Sequence, residues 1–216
     1  GPDFRPEAAL RDPDCGLYLR QNLFKYHAAC YGTHAAIEAA RCLTERHELR
    51  DGDVMRVVVH ASSLSDSVCN IAEPRSGLEA KFSLRHTVAM AIAGIDTAKL
   101  TSYSDAQTDD PDLKRLRERV RVELHGECSE LTQAEVVIKT THGATLRQRH
   151  DAGVPERDLC AQRARLERKF RSMAAPVVSA EVCDELIDLV DRLDELPDLS
   201  PLAGLLAGVP LDAARH

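Results

Sequence analysis

The chain has 216 residues, 44% hydrophobic and 29% charged, with a formal net charge of -7. That length supports a sizeable core in one domain or two small ones, and no apolar run approaches the about 18 residues of a membrane-spanning helix. The acidic balance argues against general nucleic-acid binding, so the local basic runs at 114–121 and 163–171 read as solvated helix faces.

In chain order, the first 22 residues carry several prolines and charges and little periodicity, which predicts a leader or linker of poor order. Its opening has no basic start followed by an apolar core, so a secretory signal is not expected. From Thr33 the stripe Ala36, Ala39, Ala40 and Leu43 predicts a helix that Thr33 caps and that ends near Glu48. The turn Arg50-Asp51-Gly52-Asp53 leads into β-branched residues 54–60, a predicted buried strand. Ser76 and Glu79 have capping-box spacing, and Ser83 is an equal candidate to cap a helix over 84–93 that Gly94 stops. Asp110-Pro111 supplies a cap and a first-turn proline for a short helix to Arg117, and 120–124 reads as a strand.

Residues 134–141 and 145–149, joined around His142-Gly143, alternate as a β-hairpin does. Two closing helices follow, over 157–173 and over 180–193 behind Ser179, the second striped by Val182, Leu186, Leu189, Val190 and Leu193 and stopped by Pro197. The count predicts an α+β fold with a mostly antiparallel sheet of about four strands. The division expected is a leader at 1–22, an α+β domain at 23–176 and a helical extension at 177–216, whose apolar tail predicts a self-associating surface.

The seven cysteines, at 15, 30, 42, 69, 128, 160 and 183, are odd in number and form no CxxC pair, which points to reduced thiols, a cytoplasmic setting and no metal site. Histidines 47, 60, 125, 142 and 150 show no ligand spacing along the chain. No GxGxxG, Walker loop or GxSxG elbow is present, so neither a nucleotide cofactor nor a serine nucleophile is expected.

The turn Tyr31-Gly32-Thr33-His34 precedes a helix, where free N–H groups and the helix dipole favour an anion such as a carboxylate. His34 and Cys30, four apart, fit either an acid–base pair or a helix-start polar residue beside a small buried hydrophobe; spacing leaves both open. Arg75 and Lys81 are either carboxylate binders or solvated surface residues.

The run at 24–40, FKYHAACYGTHAAIEAA, and the run at 78–93, LEAKFSLRHTVAMAIA, resemble the MmgE/PrpD family, which includes 2-methylcitrate dehydratase, cis-aconitate decarboxylase and iminodisuccinate epimerase. Many members read FKPYPCCYGTH at the first run, so Phe24, Lys25, Cys30, Tyr31, Gly32, Thr33 and His34 match, while Tyr26, His27, Ala28 and Ala29 depart. Losing two prolines there predicts a looser turn. The second run matches GLEAKFSL, with His86 where a tyrosine is common. The likeness extends more weakly over about residues 20–207, through the hairpin, DAGVPERDL and Lys169-Phe170.

The resemblance implies a cofactor-independent lyase acting on a small polycarboxylate, dehydration by default, with decarboxylation or epimerisation as alternatives. It implies catalytic roles for His34, His86 and Cys30 and substrate binding by Lys25, Thr33, Arg75, Lys81 and Ser83. It further implies an N-terminal helical half in cis or in trans, and a homo-oligomer such as a dimer. A non-catalytic interaction module is the alternative from another class.

Overall fold

The computed structural model describes residues 16–125 and 130–208, with residues 7 and 11. Most of the expected leader, together with Cys15 and Cys128, lies outside the described residues. Four strands form one mixed sheet in the order β2-β1-β3-β4: β1 Val54–Ser62, β2 Val120–His125, β3 Gln133–Thr140 and β4 Thr145–Asp151. The hairpin β3–β4 turns at Gly143, whose φ of +87° suits a residue without Cβ. β1 runs antiparallel to β3 and parallel to β2, and the parallel step needs a long crossover, supplied by the helical segment between them. The α+β class and a sheet with two antiparallel pairings out of three agree with the sequence reading.

Among the described residues there are nine α-helices: α1 His34–His47, α2 Ser65–Cys69, α3 Gly77–Ala80, α4 Leu84–Ile92, α5 Asp105–Thr108, α6 Pro111–Glu118, α7 Leu159–Ala174, α8 Ala180–Asp191 and α9 Ser200–Ala207. Both candidate caps in the second motif are used: Ser76 Oγ accepts from Glu79 N and Ser83 Oγ from His86 N, each at 3.2 Å, so one signal had two owners. Asp110 caps α6 with Pro111 in its first turn. Thr33 differs. Its hydroxyl donates back to the Cys30 carbonyl at 2.8 Å and makes no side-chain cap, because a 3-10 turn over Tyr31–Thr33 already feeds the helix.

α1 buries Ala35, Ala36, Ile37, Ala39, Ala40 and Leu43 against β3, β4 and α4, its alanines permitting close approach. α4, buried nearly all round, lies between α1, α6 and β2. Helices therefore cover one face of the sheet. β1 is half-covered rather than buried: Val54, Val57, Val59 and Ala61 face the helices, while Met55, Arg56 and His60 face outward. α7 is tied to α1 by the Arg165–Glu38 ion pair and packs on α8, which holds α9.

Candidate functional site

The first motif is a short irregular segment held on both sides. Ala28 N donates to the Thr97 carbonyl at 2.8 Å and Cys30 N to the Lys81 carbonyl at 2.9 Å, so the second motif forms the wall against which the first is laid. His27, only 3% exposed, is hydrogen-bonded through Nδ1 to Thr97 Oγ1 at 2.7 Å and through Nε2 to Glu38 Oε1 at 2.9 Å. Burial is the main cause holding its pKa below 6.5, so it is a neutral imidazole that donates to Glu38 and accepts from Thr97. Burial opposes ionisation of Glu38, but the His27 hydrogen bond and the Arg165 and Arg41 charges outweigh it and set its pKa at about 2. Arg165 also lies 3.7 Å from the Tyr26 ring centroid. Together these contacts tie down the turn where the two prolines are missing.

Against this wall opens a cleft of about 420 Å³ lined by residues of both motifs, Lys25, Cys30, Tyr31, Leu78, Lys81 and Phe82, and by Lys169 of α7. Lys169 Nζ donates to the Lys25 carbonyl. None of the three lysines forms an ion pair with a carboxylate among the described residues, whereas Lys114, Arg163, Arg171 and Arg192 do. Burial, then the neighbouring Lys25 charge, lowers the pKa of Lys169. Cys30 is half-buried here, and a hydrogen bond from the Cys69 thiol is the main cause that brings its pKa down to about 6. Burial opposes this, while the Gly32 backbone N–H and the Lys25 charge assist. The Cys69 thiol is pushed upward by the same hydrogen bond and by burial, so it stays protonated as the donor. The helix-start N–H thus serves a thiolate rather than lying free. Gly32 allows close approach: a Cβ there would stand 3.0 Å from Cys69 Sγ and 3.1 Å from Leu131 Cδ1, so both side chains would have to give way.

His34 borders a neighbouring cleft of about 390 Å³ with Tyr26, Tyr31, Glu38, Arg149 and Arg165. Its ring lies 4.7 Å from that of Tyr31 and 4.8 Å from that of His27. Burial, then the repulsion a second proton would meet from His27 and the Lys25 charge, lowers its pKa to about 3, and Nε2 has no hydrogen-bond partner among the described residues. A third cleft, of about 600 Å³, carries Arg75, Arg85 and Arg117 with Glu73, Asp109 and Glu118. His86 sits behind it, fully buried, with Nδ1 3.3 Å from Arg117 Nη1. Burial, then Arg117, brings its pKa to about 4.

The structure therefore gathers Lys25, Cys30 and Lys81 into one cleft and places His34 beside it. Arg75 lies on another cleft, His86 is bonded to Arg117, and the Thr33 and Ser83 hydroxyls are engaged by backbone at buried positions. Sequence reasoning missed Lys169, Cys69, His27, Glu38 and Arg165. The departures at Tyr26 and His27 were the available signal for the last three, since a changed turn needs a changed support; nothing marked Cys69. The family model described as MmgE/PrpD C-terminal domain matches residues 27–195. No curated protein matches the chain.

Proposed function

We propose, from the premise that this chain belongs to the MmgE/PrpD family through its C-terminal domain, that it supplies one wall of a cofactor-independent lyase site for a small polycarboxylate. The observation that supports this most is the convergence of Lys25, Lys81 and Lys169, unpaired with carboxylates, on a cleft that both motifs line. In a protein of net charge -7, three such ammonium groups beside a thiolate suit an anionic ligand.

The substrate carboxylates rest on the lysines. The Cys30 thiolate takes a proton from the carbon next to a carboxylate, and the freed electron pair moves into that carboxylate, where the ammonium groups hold the added charge. The pair then returns to expel the β-hydroxyl. Lys169, whose proton burial and the Lys25 charge loosen, donates to the departing oxygen, giving an alkene and water. Loss of carbon dioxide or reprotonation at carbon are the alternative exits. His34, neutral and buried, positions the turn from the next cleft, and an N-terminal helical half, in cis or in trans, closes the site.

The test is calorimetric titration of the chain with citrate, with deuterium exchange at the methylene carbons followed by NMR after the helical half is added. Lys25→Ala and Lys81→Ala should each weaken citrate at least tenfold, about 1.4 kcal/mol, with Arg75→Ala unchanged. Cys30→Ala should abolish exchange while citrate still binds. Citrate affinity that falls only in Arg75→Ala would move the site to the arginine cleft and end this reading.

A second reading, an interaction or oligomerisation module, is favoured by an apolar groove of about 530 Å³ between α7, α8 and α9, lined by Leu166, Phe170, Leu186, Ile187, Val190 and Leu206. Citrate binding without exchange, in a chain that self-associates, would favour it.

A further inference from the structure

We propose that His60, Glu123 and His125 form a binding site for one divalent transition-metal ion, on the sheet face that the helices leave open. His60 lies in the central strand β1 and the other two in the edge strand β2, and the parallel register sets His60 opposite Glu123 and Ser62 opposite His125. Side chains two apart on a strand share a face, so Glu123 and His125 flank the His60 ring. His60 Nδ1 is 2.9 Å from His125 Nε2 and 3.5 Å from Glu123 Oε2, and the three candidate ligand atoms all lie within 4.8 Å of one another. Zinc–nitrogen bonds of 2.0–2.1 Å in a tetrahedron put neighbouring ligand atoms about 3.3 Å apart, between the two observed separations. The two separations from His60 are already near metal-binding spacing.

The alternatives for these groups are poor. Two imidazole nitrogens in contact need one N–H between them; when a metal ion binds, the donating ring carries that hydrogen on its other nitrogen instead, so both facing lone pairs go to the ion. Glu123 has His60 as its ion-pair partner among the described residues, and Glu135, opposite His60 on β3, is engaged by Arg147 at 3.7 Å. Two imidazoles and a carboxylate suit Zn²⁺, Ni²⁺ or Cu²⁺ over Mg²⁺ or Ca²⁺. Both Glu123 and His125 are exposed, so the fourth position opens to water. A bound ion would clip the edge strand to the sheet centre across the only parallel pairing among the described strands. The spacing of 65 residues between the histidines is what kept the trio out of any chain-local ligand pattern.

This inference is independent of the polycarboxylate reading. Its test is calorimetric titration of the full chain with Zn²⁺. One ion should bind per chain, and His60→Ala and His125→Ala should each weaken it at least tenfold, with His142→Ala, a distant exposed histidine, unchanged. His125→Ala sits at the exposed end of an edge strand, so it reports even if the His60 variant fails to fold. Absence of binding at millimolar zinc, or equal affinity in wild type and His125→Ala, would overturn the proposal.

Discussion

Cys69→Ala isolates the interaction that makes Cys30 acidic. The Cys69 thiol donates to Cys30 and is the largest of the causes that set the Cys30 pKa at about 6; without it, burial is opposed only by the Gly32 N–H and the Lys25 charge. The midpoint should then rise toward the ordinary thiol value of about 8.5. At pH 6.5 that change lowers the thiolate fraction from about three quarters to about one hundredth. A more basic thiolate is also intrinsically more nucleophilic, by about tenfold over such a shift, so the net fall in alkylation rate at pH 6.5 is about eightfold. The order reverses near about pH 7.5, where the two thiolate fractions differ by that same tenfold, and above it the variant reacts faster. The assay is iodoacetamide labelling across pH, quantified by mass spectrometry at the Cys30 peptide because Cys160 is exposed and Cys42 partly so. Cys69→Ser, which keeps an O–H donor, should retain the low midpoint. A Cys30 midpoint unmoved by Cys69→Ala, or rates that fail to cross, would refute the donor assignment.

Two further outcomes follow from burial. The folded pKa values of His34, about 3, and His86, about 4, lie below the unfolded 6.5, so their stabilising contribution is complete above pH 6.5 and is lost as pH falls through 6.5 toward 4 and 3. Between pH 7 and pH 5 the two together should cost roughly 4 kcal/mol in urea unfolding, and a His34→Phe/His86→Phe variant should show a flatter profile; a flat wild-type profile would contradict their neutral burial. Gly77→Ala would place a Cβ 1.8 Å from the Tyr103 carbonyl oxygen, a backbone atom that no rotamer change can move aside. It should lose about 3 kcal/mol or more of stability, read by the same unfolding assay, and a loss under 1 kcal/mol would show that the 77–103 contact is not formed.

What the sequence disclosed follows the range of the forces involved. Caps are contacts across three residues, so Asp110, Ser179 and the paired candidates Ser76 and Ser83 were readable, and Gly143 marked the hairpin. The helix α8 carried its stripe in the chain itself, and the one-turn α2 and α5 were too short for any period to show. The parallel placement of β2 beside β1 was not readable, because it depends on where the crossover packs. Everything that rests on that placement, including the His60–Glu123–His125 trio, was hidden with it. At the site the same division holds: motif matching found Lys25, Cys30 and Lys81, but the Cys69 donor and the Lys169 cation arrive from 39 and 139 residues beyond Cys30.

The lysine cleft and the acidity of Cys30 are linked by charge. Three ammonium groups on one cleft repel each other, and the lowering of Lys169 by Lys25 is that repulsion expressed as a looser proton. The fold tolerates the repulsion because the cleft opens to water and because Cys30, ionised near neutral pH, contributes one negative charge among the cations. A polycarboxylate would neutralise the lysines far more completely than one thiolate, but it would bring its own negative charge toward that thiolate. Carboxylate–thiolate repulsion raises the Cys30 proton affinity in the complex, which is the direction that makes it a stronger base when substrate is present. The same arrangement that holds the ligand therefore primes the group proposed to take its proton.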